Sequence, residues 1–372
     1  MSDNDVICGD CAEVLQHFAD NTFDSCVTDP PYGLGSKDPT VKDIVTYLQG
    51  SGLDTGGDFM GKKWEIPSVN TWKEIYRVLK PGAHVLCFAG TRTWDIISIG
   101  ARAAGFEFRD TIALDNPGLQ WKYGQGFPKS LNVSTAIAET DVLEAKKWKG
   151  CGTALKPSWE PILVFRKPLK GTVAKNVCRH GTGAINIDSC RVASGADKGR
   201  WPSNTVLVHA EGCKRTGKCV NGCPVKALDE QSGKCGAQAP VLGTEPSRAV
   251  EPNTITGVRG RVPGAFHSDS GTASRFFPQF FYCAKATKKE ATLGGKIYNN
   301  HPTKKPLKLM RWLVRLVTPK GGRVLDPYCG SGTTLQAAMN ENMRFVGIEK
   351  DEDYHNIAMS RVFAARLIMG RH

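Results

Sequence analysis

The sequence predicts an α/β fold built on a mainly parallel sheet that carries an irregular, basic insertion. Three features predict it. Short apolar runs alternate with helical periodicity over residues 1–170 and again over 296–372. Two of those runs end abruptly in turn-rich strips, Asp29-Pro30-Pro31-Tyr32-Gly33 and Asp326-Pro327-Tyr328-Cys329-Gly330-Ser331-Gly332-Thr333-Thr334. Between about 171 and 295 the periodicity degrades while basic residues accumulate. A chain of 372 residues can bury a substantial core, either as two or three domains or as one elaborated α/β domain with a large insert.

In chain order, Val6-Ile7-Cys8 reads as a first strand, Asp10 precedes a helical pattern through Val14, Leu15 and Phe18, and Phe23 to Thr28 reads as a second strand. That strand runs into two prolines, which supply no ladder donor. Residues 33 to about 66 are Gly-rich, include Trp64, and read as a lid or binding loop. Trp72 to Leu79 reads as a helix stopped by Lys80-Pro81-Gly82, followed by a strand at Ala83 to Phe88, a helix near 93–104 and a strand near 106–114. After the irregular middle come Phe280-Phe281-Tyr282, a helix near 306–317, a strand at Gly322 to Asp326, a helix, a strand at Arg344 to Glu349 and a terminal helix. The expected division is 1–170, 171–295 and 296–372, with the outer two parts forming one domain.

The formal net charge is +13, and its distribution says more than its size. Residues 171–325 hold 25 Lys/Arg against 9 Asp/Glu, a net of +16, while the remainder sums to −3. A polyanion is the expected partner, because each neutralised phosphate releases condensed counterions; a merely soluble basic surface is the blander alternative. No stretch approaches the run of about 18 apolar residues that spans a bilayer, and no export signal is visible, so the sequence predicts a soluble, intracellular, cytoplasmic chain without a membrane partner. The thirteen cysteines are scattered and odd in number, which argues for reduced thiols, several of them in the core.

Two strips carry the chemistry. Strand, Gly330-Ser331-Gly332, then helix is a ligand-binding turn: the glycines admit a close backbone approach, and the helix start offers unpaired amides. A GxG turn alone is weak, but Glu349 closes the next strand, where a carboxylate can accept from two ribose hydroxyls. Asp29-Pro30-Pro31-Tyr32 is sharper. An exocyclic base amine is a poor nucleophile, because its lone pair is delocalised into the ring. Hydrogen bonds to a carboxylate and to a rigidly held carbonyl favour a pyramidal nitrogen able to attack a sulfonium methyl. Asp29 and the Pro30 carbonyl supply the acceptors, Pro31 stiffens the strip, and Tyr32 offers a face for an extruded base. The competing reading is a Pro-rich turn with a buried tyrosine.

On these segments the chain resembles the amino-methyltransferases of DNA, in particular their permuted β class. In that class the DPPY strip comes first, the target-recognition region follows, and the cofactor strip comes last. The order here is Asp29 to Tyr32, the basic middle, His301-Pro302-Thr303-Lys304-Lys305-Pro306, then Asp326 to Thr334. The resemblance implies a Rossmann-like methyltransferase fold of circularly permuted motif order with an inserted recognition domain, S-adenosyl-L-methionine as cofactor, and double-stranded DNA as partner. It implies that Asp326, Gly330, Ser331, Gly332 and Thr333 hold the methionine part of the cofactor, that Glu349 binds the ribose, that His301, Thr303 and Lys305 close over it, and that Asp10 contacts the adenine. Asp rather than Ser at the head of the strip favours N6 of adenine over N4 of cytosine. Trp159 and Glu160, in a segment that also resembles the family, are candidates for base contact, as is Trp64.

Other readings stay open. A methyltransferase for RNA or a protein amide could use a related strip, and an inactive DNA-binding relative would keep the charge but lose a motif residue. No Pro-Cys pair is present for cytosine C5 chemistry, so Cys329 reads as packing. Cys213, Cys219, Cys223 and Cys235, with His209 upstream, could bind zinc, but their spacings match no paired CxxC pattern, and unligated thiols are the favoured reading. Many members of the class dimerise, and some accompany a restriction enzyme. A homodimer and a cognate restriction enzyme therefore enter as partner expectations, although no coiled-coil signal is visible.

Overall fold

Along the central strands successive side chains point to opposite faces, and here both faces are apolar. Val85 and Cys87 enter one core while Leu86 and Phe88 enter the other; Leu163 and Phe165 alternate in the same way with Ile162 and Val164. Such strands must be covered on both sides. The computed structural model, which describes residues 4–33, 35, 37–53, 55–56, 65–115, 130–155, 158–192, 199–214, 218–234, 236, 270–281 and 288–370, shows that cover. Its strands are β1 (Asn4–Cys8), β2 (Phe23–Thr28), β3 (Leu79–Phe88), β4 (Glu107–Asp115), β5 (Trp159–Arg166), β6 (Thr205–His209), β7 (Gln279–Phe281), β8 (Arg323–Asp326) and β9 (Arg344–Glu349). Its helices are α1 (Cys11–Leu15), α2 (Val41–Leu48), α3 (Val69–Val78), α4 (Trp94–Ala103), α5 (Val133–Ala138), α6 (Val142–Lys147), α7 (Val173–His180), α8 (Pro224–Ser232), α9 (Lys288–Ala291), α10 (Leu307–Val317), α11 (Thr333–Asn340) and α12 (Glu352–Ile368). One face of the sheet packs on α1 to α4 and the other on α10 to α12.

The nine strands form one sheet in the order β1-β9-β8-β2-β3-β5-β4-β6-β7. Every pairing is parallel except the two made by β5, which runs against β3 and β4. That single reversal brings the start of β5, Trp159 and Glu160, to the edge where the other strands end. In an open α/β sheet this carboxyl edge is where ligands bind.

Three expectations change. The stretch from 33 to 66 contains α2, started by a capping box between Thr40 and Asp43 and pinned by the buried Tyr47, whose hydroxyl donates to the Pro67 carbonyl (2.8 Å). Gly100 of α4 is what admits Tyr47 so closely, since a side chain there would collide with the tyrosine hydroxyl. Lys80-Pro81-Gly82 does not separate helix from strand: β3 begins at Leu79 and passes through those residues with a register shift against β2. Finally, the described part of the middle segment, expected to be irregular, adds β6 to the same sheet, with Ala113 of β4 opposite Thr205, and β6 pairs in turn with β7 at the Phe280-Phe281 run where regular patterning was expected to resume. A strand of five residues such as β6 is too short to show a period in the sequence. Among the described residues no helix is long and apolar enough to cross a membrane.

Candidate active site

The site grows from the ends of β2, β8 and β9. At the end of β2, Thr28 donates its hydroxyl to Asp326 Oδ1 (2.8 Å) and so ties the DPPY strip to the cofactor strip beneath it. Pro30 is buried and Asp29, Pro31 and Tyr32 are half-buried. The Tyr32 carbonyl accepts from Thr93 Oγ1 (2.5 Å) at the start of α4, which fixes the strip from its far side.

Above this strip lies a closed polar cluster. Tyr32 Oη is 2.6 Å from Asp29 Oδ1 and 2.8 Å from Glu160 Oε1. Lys305 Nζ donates to Tyr32 Oη (2.9 Å) and Glu160 Oε1 (2.7 Å), and pairs with Asp29 Oδ1 at 3.2 Å. It also lies 4.2 Å from the centre of the Phe88 ring. Two carboxylates, one ammonium and one phenol therefore share a site in which Lys305 and Glu160 side chains are each only 14% exposed. Burial lifts the Asp29 carboxyl above its ordinary range, Lys305 opposes that shift, and Glu160 adds to it. Tyr32 is held far above the ordinary phenol value by burial and by the same two carboxylates, so it stays a hydroxyl donor. Burial works against the Lys305 ammonium, but Asp29 and Glu160 outweigh it and raise its pKa. One phenol proton serves two carboxylate oxygens, and a raised Asp29 is the direction such sharing requires.

The cofactor strip is shaped for a close ligand approach. Gly330 and Gly332 have φ of +50° and +78°, and a side chain on Gly330 would meet His301 Nε2 at 2.9 Å. Glu349 receives the Gly330 amide on Oε2 (2.8 Å) and the Asp351 amide on Oε1 (2.9 Å), which leaves lone pairs on both oxygens for further donors. Burial raises the Asp326 carboxyl to about 7, against hydrogen bonds from Thr334, Thr28 and the Tyr328 amide. Ser331 and Thr333 are buried at the start of α11, where Arg361 Nη1 donates to Thr333 Oγ1 (2.9 Å). The His301 ring packs at a tilt against Tyr354, centroids 4.4 Å apart and planes at 56°, and accepts the Thr303 amide on Nδ1 (3.3 Å). A buried carboxyl, a glycine turn at a helix start and an anchored carboxylate on the neighbouring strand suit a ligand bearing a cationic amine and a ribose.

Most expected site residues come together here, and two of them make contacts that the sequence did not foresee. Lys305, expected over the cofactor, sits in the cluster with Asp29 and Glu160, because the residues before α10 deliver it beside β2. Asp10 caps α1 through Ala12 N (2.9 Å) and pairs with Lys350 at 3.0 Å, beside Glu349 because the Gly9 amide donates to the Glu349 carbonyl (3.0 Å). Trp159 stands 39% exposed at the start of β5. Trp64 lies outside the described residues. Cys329 is buried, as its reading as packing expects. Of the cysteine set, Cys213, Cys219 and Cys223 converge with His209, and Cys235 lies outside the described residues.

Sequence reading missed three residues. Thr28 and Thr93 gave no signal beyond adjacency to the strip and to a helix start. Arg361 did: it falls in step with Ile357, Ala358, Val362 and Ala365 on the apolar face of α12, and it is fully buried, bound to Gln336 Oε1 (2.7 Å) as well as Thr333.

An Asp-Pro-Pro-Tyr strip, a glycine turn and an anchored carboxylate on the neighbouring strand thus share the carboxyl edge of one mainly parallel sheet, the layout expected of a methyltransferase. A family model described as DNA methylase, of the N6/N4 type, matches residues 23–360, and the chain belongs to that family. It is similar to the Type II methyltransferase M.HindIII of Haemophilus influenzae, 28% identical over 299 residues that cover 79% of this chain and 68% of that protein. It is also similar to the Type II methyltransferase M.HpaI of Haemophilus parainfluenzae, 22% identical over 362 residues, covering 97% and 74%. The solved PvuII DNA methyltransferase (cytosine-N4-specific) aligns over 100% of this chain and 94% of its own, at 12% identity and a TM-score of 0.45. The chain is a DNA methyltransferase of the N6-adenine/N4-cytosine family, and its cofactor is S-adenosyl-L-methionine.

Proposed function

We propose that the enzyme methylates N6 of adenine at a specific site in double-stranded DNA, on a base turned out of the helix into the pocket beside Tyr32. The observation that carries this reading is the cluster in which Asp29 heads the strip at the end of β2, close-packed against Tyr32, Lys305 and Glu160. The amino group donates to Asp29 Oδ1 and to the Pro30 carbonyl, which turns its lone pair away from the ring. When bound, S-adenosylmethionine supplies an electrophilic methyl on a sulfonium. As the nitrogen took the methyl carbon, the carbon–sulfur bond would break with its electron pair going to the departing thioether, and the proton released from nitrogen would pass to the Asp29 carboxylate, whose raised pKa suits it to receive it. Lys305 and Tyr32 hold Asp29 in place, and Glu160 holds Lys305. The exposed Trp159 borders the entrance as a stacking face for the base.

For the cofactor, Asp326 and the turn at Gly330, Ser331, Gly332 and Thr333 are assigned the methionine part and Glu349 the ribose. His301 and Thr303 close the second side, and Asp10 lies towards the adenine. DNA as substrate is supported by the basic middle segment, where the guanidinium of Arg200 lies 4.6 Å and that of Arg275 4.3 Å from the ring of Phe276, itself 45% exposed. Adenine as target is supported by Asp at the head of the strip and by similarity to the DNA adenine methyltransferase YhdJ of Escherichia coli K12, 37% identical over 68 residues. A homodimer and a cognate restriction enzyme remain partners to be sought.

Methyl-labelled S-adenosylmethionine with mixed-sequence duplex DNA, RNA or protein, followed by nucleoside digestion and mass spectrometry, tests the proposal. The expected product is N6-methyladenine from duplex DNA. N4-methylcytosine in its place overturns the base, and label in RNA or protein alone overturns the substrate.

A further inference from the structure

At the far end of the same carboxyl edge, four potential ligands converge from a segment that a core barely supports. Leu207 and His209 point from β6 to the face opposite Val206 and Val208, and among the described residues the apolar cluster on that face has Leu207, Cys223 and Val225 as its buried members. Next to it, His209 Nδ1 and the Sγ atoms of Cys213, Cys219 and Cys223 all lie within 4.8 Å of one another. We propose that these four side chains bind one zinc ion, which locks the turn between β6 and α8 onto the DNA-facing edge of the sheet.

The geometry is that of a single tetrahedral ion. His209 Nδ1 lies 3.4 Å from Cys219 Sγ and 3.6 Å from Cys223 Sγ. With Zn–S near 2.3 Å and Zn–N near 2.0 Å, a zinc tetrahedron has a nitrogen-to-sulfur edge of about 3.5 Å. The imidazole is already set for it. Gln279 Nε2 donates to the Ser274 carbonyl (2.7 Å), which leaves Gln279 Oε1 to accept from His209 Nε2 (3.1 Å). The proton therefore sits on Nε2, and the Nδ1 lone pair faces the sulfurs, the outer-sphere arrangement of metal-bound histidines. The ring is also fixed by stacking on Phe281, 4.2 Å away and 2° from parallel.

The sulfurs are prepared in the same way. The Val220 amide donates to Cys213 Sγ (3.4 Å), and Cys223 stands at the N-terminus of α8, where the helix dipole favours a thiolate. Between Cys213 and Cys219, Lys214 and Lys218 are joined by an antiparallel bridge and both are exposed. Metal binding would thus fix two basic side chains at the edge that carries Asp29 at its centre. Three thiolates with an imidazole and no carboxylate select zinc over harder cations, and a metal supplies the folding free energy that a three-residue core does not.

The test is metal analysis of the full chain, purified from zinc-supplemented medium and desalted. About one zinc per chain is expected. It should be lost in His209→Ala and Cys219→Ser, and kept in Cys178→Ser, whose exposed thiol lies outside the cluster. Because those variants could misfold, the wild-type chain should also be loaded with cobalt(II), which is expected to give the intense absorption of a tetrahedral site with thiolate-to-cobalt charge transfer. No near-stoichiometric zinc in the wild type, zinc retained in both ligand variants, or the weak absorption of octahedral cobalt would each overturn the proposal.

Discussion

The two ends of the carboxyl edge are held in opposite ways. Around β2, β3, β8 and β9, apolar side chains cover both faces, and the strands themselves aim Asp29, Asp326 and Glu349. Around β6 and β7, one face joins the large core through Val206 and Val208, while the other rests on three buried residues and a knot of sulfur and imidazole. The comparison teaches where each part gets its precision. Asp29, Asp326 and Glu349 stand on packed strands, whereas in our proposal the turn after β6 takes its order from a few strong bonds to a metal, which also supply folding free energy.

The comparison is sharpened most by removing charge from the packed end. Lys305→Met leaves Asp29 and Glu160 facing each other without their cation, and turnover is expected to fall by about 100-fold near neutral pH. Lys305 lowers the pKa of Asp29. Its loss therefore raises that pKa further, and the acid limb of the kcat profile moves to higher pH. If Lys305 instead served the cofactor alone, KM for S-adenosylmethionine would rise and the pH profile would stay in place.

A smaller effect is expected at Asp326. Its folded-state pKa, about 7, lies above the ordinary 3.8, so the folded protein favours the neutral acid. Stability from this group is complete below about pH 4 and is lost as pH rises through about 7, a cost of roughly 4 kcal/mol once ionisation is complete. Asp326→Asn keeps acceptors for Thr28 and the Tyr328 amide without the charge. Thermal melts of the ligand-free protein should show the variant gaining most at about pH 8 and less than half as much at about pH 5, while its affinity for S-adenosylmethionine falls. An equal gain at both pH values would show that burial of this charge is not the cause.

Legibility in the sequence follows the same divide. The DPPY strip, the Gly330 turn and Glu349 were readable because a strand and the turn after it are contiguous, and local chemistry names their roles. The parallel sheet was readable from alternating elements. The polar cluster was only partly so: Lys305, Glu160 and Asp29 meet across β3 and β5, and nothing in the spacing of the three predicts that a lysine assigned to the cofactor would pair with Asp29. Arg361 was hidden because a charged residue on an apolar stripe looks like an interruption until its partners, Thr333 and Gln336, are brought beneath it. The cysteine set was harder to read, because a spacing rule looks for paired cysteines, whereas His209, which converges with Cys213, Cys219 and Cys223, stands at the end of a strand.

The central claim is that Asp29 acts on the base amine and not on the fold or the cofactor. Transfer of labelled methyl from S-adenosylmethionine to duplex DNA by wild type and Asp29→Ala, measured alongside cofactor binding by calorimetry, tests it directly. The expected result is a loss of transfer of about 1,000-fold or more with cofactor affinity nearly unchanged. Normal turnover in Asp29→Ala, or a loss of transfer fully explained by lost cofactor binding, would contradict it.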